Sequence, residues 1–377
     1  MIERIPYFMI KHLKLKGTNR EIGRIHGEQG REQVLKSLTT YEGLFYGYSK
    51  ISWKQAREEA LTHLAAIEQY NENFIEEMEG VALGAGVDFE DILALNARSE
   101  IALANYVSKP FSDGCTAIGI IPPLTTETIL AQNWDWKATQ IESLLLLDIE
   151  QEGKPAIQMV TEGGIIGKIG YNSAGLGVCL NALLTNKKSN KVPIHLGLRS
   201  VLNSSSLHEA VANIKDGQLA STANFMIASD QGEGRAMVAN YEVSPYGIAM
   251  LTSNEGKVVH TNHILSNEIL ENVEDRNEFK FEDSLIRKNR AEQLIHSKVY
   301  QREKIDTEAF KVWLSDQFNA PNSINHYENN KAPEHRRMET VFSIIMNLSS
   351  RSMELCIGKA NQNKYKKYNL SVIKSEQ

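Results

Sequence analysis

The sequence predicts an α+β chain in which two antiparallel β-sheets are stacked between helical layers, a four-layer α/β/β/α sandwich. Three observations carry this. The first 114 residues show apolar residues at helical spacing. From Cys115 the chain turns to short strands roughly ten residues apart, the texture of an antiparallel meander. A second helical stretch then precedes a closing pair of strands. Stacked layers require segments in this order, although the spacing also permits two separate α+β domains.

In chain order, a short strand is predicted near 11–16, followed by helix formers from Asn19 to Ser37. The stretch from Trp53 to Leu83 places Leu61, Leu64, Ala65, Phe74, Ile75 and Met78 at helical spacing, and Gly84 and Gly86 end it. Asp88, with Asp91 three residues on, reads as the N-cap of a helix through Ile92, Leu95 and Ile101. Strands are predicted near 115–121, 129–134, 144–149, 156–160, 165–171 and 176–183, then a helix over 194–214 with Leu198, Val201 and Leu202 in its apolar stripe. Four more strands (224–229, 236–242, 247–252, 258–261), two helices (284–296, 307–318) and two closing strands (340–348, 352–357) complete the chain. The Asn- and Pro-bearing stretch 319–334 reads as an exposed loop over one end of the sandwich.

The composition, 42% apolar and 23% charged, describes a soluble globular protein, and a net charge of −6 argues against nucleic acid as a main partner. Only Lys364-Tyr365-Lys366-Lys367-Tyr368 is locally basic, and it reads as a solvated face. The first residues carry Glu3 and Pro6 where a signal peptide needs a basic end and an unbroken apolar core. No run reaches the ~18 apolar residues of a membrane helix. The three cysteines form no close-spaced pair, which suits a reducing compartment, and a cytoplasmic setting is expected.

The chemistry concentrates at Ser112-Asp113-Gly114-Cys115-Thr116, where a polar approach meets a cysteine and then an apolar strand. A glycine there lets the preceding peptide hold strained backbone angles, and the thiol can attack the Gly114 carbonyl. Cleavage between Gly114 and Cys115 would leave one residue with a thiol of reference pKa about 8.5 and an α-amine of about 7.7–8.0 to act as its base. Cys179 and Cys356, inside apolar runs, read as inert core residues.

Further blocks stand in order along the chain: Gly17-Thr18-Asn19-Arg20-Glu21-Ile22-Gly23 with His26-Gly27, Leu95-Asn96-Ala97-Arg98-Ser99-Glu100, Gln132-Asn133-Trp134-Asp135, Asn172-Ser173-Ala174-Gly175 and His260-Thr261-Asn262-His263. With Asp113-Gly114-Cys115-Thr116 they resemble, nearly end to end, the C45 peptidase family of N-terminal-nucleophile (Ntn) hydrolases, which includes acyl-coenzyme A:6-aminopenicillanic acid acyltransferase. The resemblance implies the same sandwich, formed jointly by a small subunit, 1–114, and a large subunit, 115–377, that stay together as a heterodimer after self-cleavage. It implies a Cys115 acyl-enzyme acting on amide or thioester bonds, Asp135 orienting the α-amine, Asn262 holding the oxyanion, and Arg337 holding charge near the site. Arg336 is the rival for that last place. Asn172 and Asn181 are candidate pocket residues. No cofactor is implied, and acyl-coenzyme A enters only as a possible substrate. Met338 and Glu339 depart from the acyltransferase pattern, so a β-lactam substrate is not implied.

Two other readings fit the residues. One is an unprocessed cysteine hydrolase in which His260 or His263 activates the thiol, and the other is a non-catalytic relative that only binds an acyl compound. A metal site is not expected, because His260 and His263 would point to opposite faces of a strand and no third ligand has suitable spacing.

Overall fold

The computed structural model of the chain describes residues 9–103, 114–331 and 337–370, apart from the side chain of Tyr48. Strand β1 (Lys11–Lys16) is followed by seven helices: α1 (Asn19–Gln29), α2 (Arg31–Leu44), α3 (Trp53–Leu61), α4 (Leu64–Asn71), α5 (Asn73–Ala85), α6 (Phe89–Asn96) and α7 (Arg98–Leu103). Thr18 caps α1 in a reciprocal pair with Glu21, and the Asp88 N–H donates to the Asp91 carboxylate at 3.1 Å at the start of α6, as its sequence predicts.

The helices expected over 19–37 and 53–83 are broken, because local groups compete with the ladder. Gly30 ends α1. At the α4–α5 junction the Asn71 side chain takes the Asn73 N–H at 3.2 Å, while buried His63 leaves the α3 end to reach the Lys191 carbonyl at 2.6 Å. Gly23 and Gly27 of α1 face Gly80 and Gly84 of α5. A Cβ at Gly23 would lie 1.9 Å from the Glu77 carbonyl oxygen, and one at Gly80 2.3 Å from that of Arg20, so the two backbones touch.

The remaining elements are β2 (Gly114–Ile120), β3 (Ile129–Trp136), β4 (Leu144–Glu150), β5 (Ile157–Glu162), β6 (Ile169–Asn172), β7 (Leu176–Ala182), α8 (Ile194–Asn203), α9 (Leu207–Ala212), β8 (Ala223–Asp230), β9 (Ala236–Ser244), β10 (Gly247–Leu251), β11 (Lys257–His260), α10 (Asn267–Leu270), α11 (Leu285–Tyr300), α12 (Thr307–Leu314), β12 (Glu339–Asn347), β13 (Ser352–Ile357) and β14 (Lys366–Asn369). Eight strands form one sheet in the order β1-β4-β5-β6-β7-β8-β9-β10, and six form the other, β11-β2-β3-β12-β13-β14. β1 joins β4 in parallel, whereas the other pairs are antiparallel. Helices α1, α2 and α8 cover the larger sheet, α11 and α12 cover the smaller, and β2 packs on β7 across the middle.

One sandwich results, not two domains. The inner strands of both sheets are covered on both faces, which is why β2, β3, β5, β6 and β8 are buried along their whole length. The helix expected over 194–214 is divided where Ser206 caps α9 through the Glu209 N–H at 3.2 Å. The segment read as an exposed loop is also different: Ser323, Ile324, Asn325 and His326 are buried against the smaller sheet. β14, inside the locally basic stretch, is an edge strand that the sequence reading did not anticipate. Among the described residues no helix is long and apolar enough to cross a membrane.

Candidate active site

Antiparallel pairing brings the start of β2 beside the ends of β3 and β11 and the start of β12. Gly114 therefore lies opposite Asp135, Cys115 opposite Trp134, and Thr340 opposite Asp135 from the other side. β11 stops at His260, opposite Ala117. Two residues later the chain has left the ladder, and the side chain of Asn262 takes the place of the missing strand: its Oδ1 accepts the Cys115 backbone N–H at 2.9 Å.

Strand alternation sorts the groups by face. Cys115 and Trp134 belong to the apolar core between the sheets. Asp135, Asn133 and Thr116 face α11 and α12, where Asn133 Nδ2 donates to the Leu314 and Ile324 carbonyls at 2.8 Å each. The Asp135 carboxylate thus lies across the strand from the Cys115 side chain, and what stands between them is the backbone at 114–115. A carboxylate so placed suits the Cys115 nitrogen better than its sulfur.

Asp135 is wholly buried, and burial raises its pKa from the ordinary carboxylate value. His326, Arg287 and a 2.7 Å hydrogen bond from Thr340 Oγ1 to Oδ1 partly offset this. Its other oxygen, Oδ2, has no hydrogen-bond partner among the described residues and faces Gly114, where an added Cβ would sit 3.3 Å from Oδ2 and 3.0 Å from the Asp135 Cβ. This corrects the reason given for the glycine. Gly114 is an ordinary strand residue outside the left-handed region, and the carboxylate opposite leaves no room for a side chain.

The orientation of Asn262 follows from its neighbours. Oδ1 accepts from Cys115 N and from Arg287 Nη2 at 3.0 Å, so Nδ2 is turned toward the larger sheet, where it donates to the Ala182 carbonyl at 3.1 Å. That is also the side of the Cys115 thiol. The Asn262 N–H donates to Ser284 Oγ at 2.8 Å, and its carbonyl accepts from Asn277 Nδ2 at 2.6 Å, which fixes the backbone as well.

Arg287, which the sequence reading did not single out, joins these groups. Fully buried in the first turn of α11, it reaches Asp283 through Nε at 2.5 Å, and the Cys115 carbonyl and Thr116 Oγ1 through Nη1 at 2.6 and 3.0 Å. A signal was present: Asp283 and Arg287 stand four apart where the same helix face continues with Ala291 and Ile295, and a charge on an apolar stripe needs buried partners. Arg337 begins the approach to β12, partly exposed, in a groove of about 620 Å³ with Lys36, Thr40 and Lys137, whose Nζ donates to the Arg337 carbonyl at 2.9 Å. On β12 the register puts Phe342, five residues further on, level with Cys115 by way of Trp134. Arg336 lies outside the described residues.

Asn181 belongs to a buried amide chain near the site. Its Nδ2 donates to the His260 carbonyl at 3.3 Å and its Oδ1 accepts from Asn224 at 3.0 Å. Asn172 lies elsewhere, at the β6–β7 turn, six residues or roughly 20 Å along β7 from Ala182. Its side chain holds the end of α8 through the Leu202 and Ser204 carbonyls at 2.8 Å each. The histidines flanking Asn262 are structural. His260 is held by the Thr261 carbonyl at 2.8 Å and by Glu242 at 2.7 Å. His263 meets Ser284 Oγ at 2.8 Å, and burial, then His260, pushes its pKa down to about 3. Burial pushes the Cys179 thiol up, and that of Cys356 up to about 12, as inert core cysteines require.

On the thiol's side of the sheet, Lys168 Nζ lies 3.4 Å from the centre of the Trp134 ring and pairs with Glu162, which also takes a 2.5 Å hydrogen bond from Tyr41.

Residues 124–362 match the family model described as acyl-coenzyme A:6-aminopenicillanic acid acyl-transferase. The chain is also 34% identical over 356 residues to the acyl-coenzyme A:6-aminopenicillanic-acid-acyltransferase 40 kDa form of Emericella nidulans, covering 93% of each chain. The chain belongs to this acyl-transferase family. Among solved structures, a mutant conjugated bile acid hydrolase from Clostridium perfringens aligns with a TM-score of 0.45 and 14% identity, over 70% of this chain and 100% of its own. Penicillin V acylase from Agrobacterium tumefaciens aligns with a TM-score of 0.38 and 13% identity, over 64% and 83%. Within the acyl-transferase family, the blocks around Gly23 and His26 here serve packing. The Gly27 position lets α1 meet α5, and His26 Nε2 accepts the Gly164 N–H at 3.0 Å.

Proposed function

We propose that this chain cuts itself between Gly114 and Cys115 and then works as a cysteine acyltransferase or amidohydrolase on amide or thioester bonds. The observation that supports the reading most is the grip on residue 115. Asn262 holds its N–H, Arg287 holds its carbonyl, and an open oxygen of Asp135 faces the glycine before it. In the first step Sγ bonds to the Gly114 carbonyl carbon, the C–N bond breaks, and the thiol proton ends on the departing nitrogen. Water then hydrolyses the thioester, freeing the thiol and leaving Gly114 with a carboxylate.

In turnover the new α-amine, oriented by Asp135 and Asn262 Oδ1, accepts the Cys115 proton as sulfur attacks the substrate carbonyl. Asn262 Nδ2, on the thiol's side, is the donor for the oxyanion, a contact of several kcal/mol when preorganised. The leaving amine or thiol takes the proton, and the acyl-thioester passes to water or to an amine acceptor. The acyl-coenzyme A in the family's description makes an acyl thioester one candidate donor.

The small fragment would stay bound as half of a heterodimer. It supplies β1, and Glu77 meets Arg199 at 2.6 Å while Asn96 meets the Gly164 carbonyl at 2.9 Å, both across the cut. A cytoplasmic setting belongs to the same reading. The test is mass spectrometry of the purified protein, whose intact mass is 42.3 kDa. Fragments of roughly 13 and 29 kDa, the larger beginning at Cys115, are expected from wild type, and one uncut chain from Cys115→Ala. An active wild type that remains a single chain would sink the proposal.

A further inference from the structure

His326 is the buried ionisable group nearest the site that the reaction above leaves unused. Only 4% exposed, it lies in the segment whose sequence reads as a surface loop. Its backbone is clamped to β12 at one residue: the His326 N–H donates to Thr340 Oγ1 at 2.8 Å, and the Thr340 N–H donates to the His326 carbonyl at 3.1 Å. The same Thr340 hydroxyl donates to Asp135 Oδ1. The clamp sets the imidazole beside the carboxylate. Among the described residues His326 Nδ1 has no hydrogen-bond partner, and neither has Asp135 Oδ2, so two buried polar atoms stand open on one side of the strand.

We propose that His326 is a positioning residue for the nucleophile: through Thr340 and its own charge it keeps Asp135 ionised and aimed at the Cys115 α-amine. The inference rests on the self-cleavage reading above. The other charged groups facing Asp135 are Arg287 and Asp283 at the start of α11, and these are paired with each other. Behind His326, Asn325 is tied to the Asp316 carbonyl at 3.0 Å, and Asp316 is paired with Arg290. Of the charges that favour the Asp135 carboxylate, His326 contributes most, ahead of Arg287, and among these groups only it changes charge near neutral pH.

The test is the pH profile of acyl turnover for wild type and His326→Gln, each also made in an Asp135→Asn background. Removing the imidazolium makes Asp135 hold its proton to higher pH. The acid limb should therefore move up by about one pH unit, a loss of about tenfold at its midpoint carried by kcat and not KM. In the Asp135→Asn background, the substitution at 326 should change nothing further. If His326→Gln fails to fold, NMR titration of the His326 ring in wild type and Asp135→Asn replaces it. The midpoint should fall by about one unit when the neighbouring anion is lost. An unmoved acid limb, an undiminished effect without the carboxylate, or an unchanged ring midpoint overturns the proposal. Mass spectrometry of the same samples separates this from the earlier reading. Absence of a Cys115 N-terminus counts against self-cleavage, whereas the ring titration reports on the His326–Asp135 pair whether or not the chain is cut.

Discussion

Asn262 and Arg287 divide the work at residue 115, and substitutions should separate them. Asn262→Ala removes the donor proposed for the oxyanion and is expected to lower kcat by about 10²–10³-fold, measured on chains already cut. Arg287→Lys keeps the charge but loses the fork. One ammonium cannot serve Asp283, the Cys115 carbonyl, Thr116 and Asn262 together, so self-cleavage should slow by roughly 10- to 100-fold, read as loss of precursor on denaturing gels. Sequence made part of this site legible. Cys115, Asp135 and Asn262 sit at strand ends marked by a glycine, by paired tryptophans and by paired histidines, so local pattern exposes them. Arg287 and His326 come from a helix face and a buried loop, and only tertiary packing brings either to the strand ends. Asn262 was read as a donor alone, because which of its two atoms faces Cys115 depends on Arg287, 25 positions away.

At the scale of elements, strand positions were legible to within a few residues, since covered strands are apolar runs bounded by turns. Helix interruptions were not, because they come from side chains such as Asn71 and His63 with local or distant partners. The α1–α5 contact gives a paired prediction. Alanine normally favours a helix over glycine by about 1 kcal/mol. At Gly80 the added Cβ would meet the Arg20 carbonyl oxygen at 2.3 Å, and overpacking of about 1–3 kcal/mol should win, so Gly80→Ala is expected to destabilise. At Gly43 of α2, where an added Cβ meets nothing within 4 Å, the same change should stabilise. Chemical denaturation of the two variants beside wild type checks both signs.

Across the whole molecule, two histidines are held neutral in the interior. Burial pushes His26 down to about 4, and the Gly164 N–H needs its unprotonated Nε2; His263 is pushed down to about 3. Their folded pKa values lie below the unfolded value of about 6.5, so the unfolded chain takes up protons first as pH falls. Stability from these residues is therefore complete above pH about 6.5, erodes below it, and for His26 is exhausted below about 4, a loss on the order of 3 kcal/mol for that residue. Urea unfolding between pH 7 and 4 should show this slope, and His26→Gln should flatten part of it.

The parallel pairing of β1 with β4 fixes an order of events. The N-terminal strand must already lie in the larger sheet when the bond before Cys115 is cut, because afterwards no covalent tether would bring it back. Assembly is then encoded once, during the life of the single chain. Two pieces denatured apart and mixed would face a second-order search that the newly made chain never meets, and recovery of activity from them should depend on their concentration.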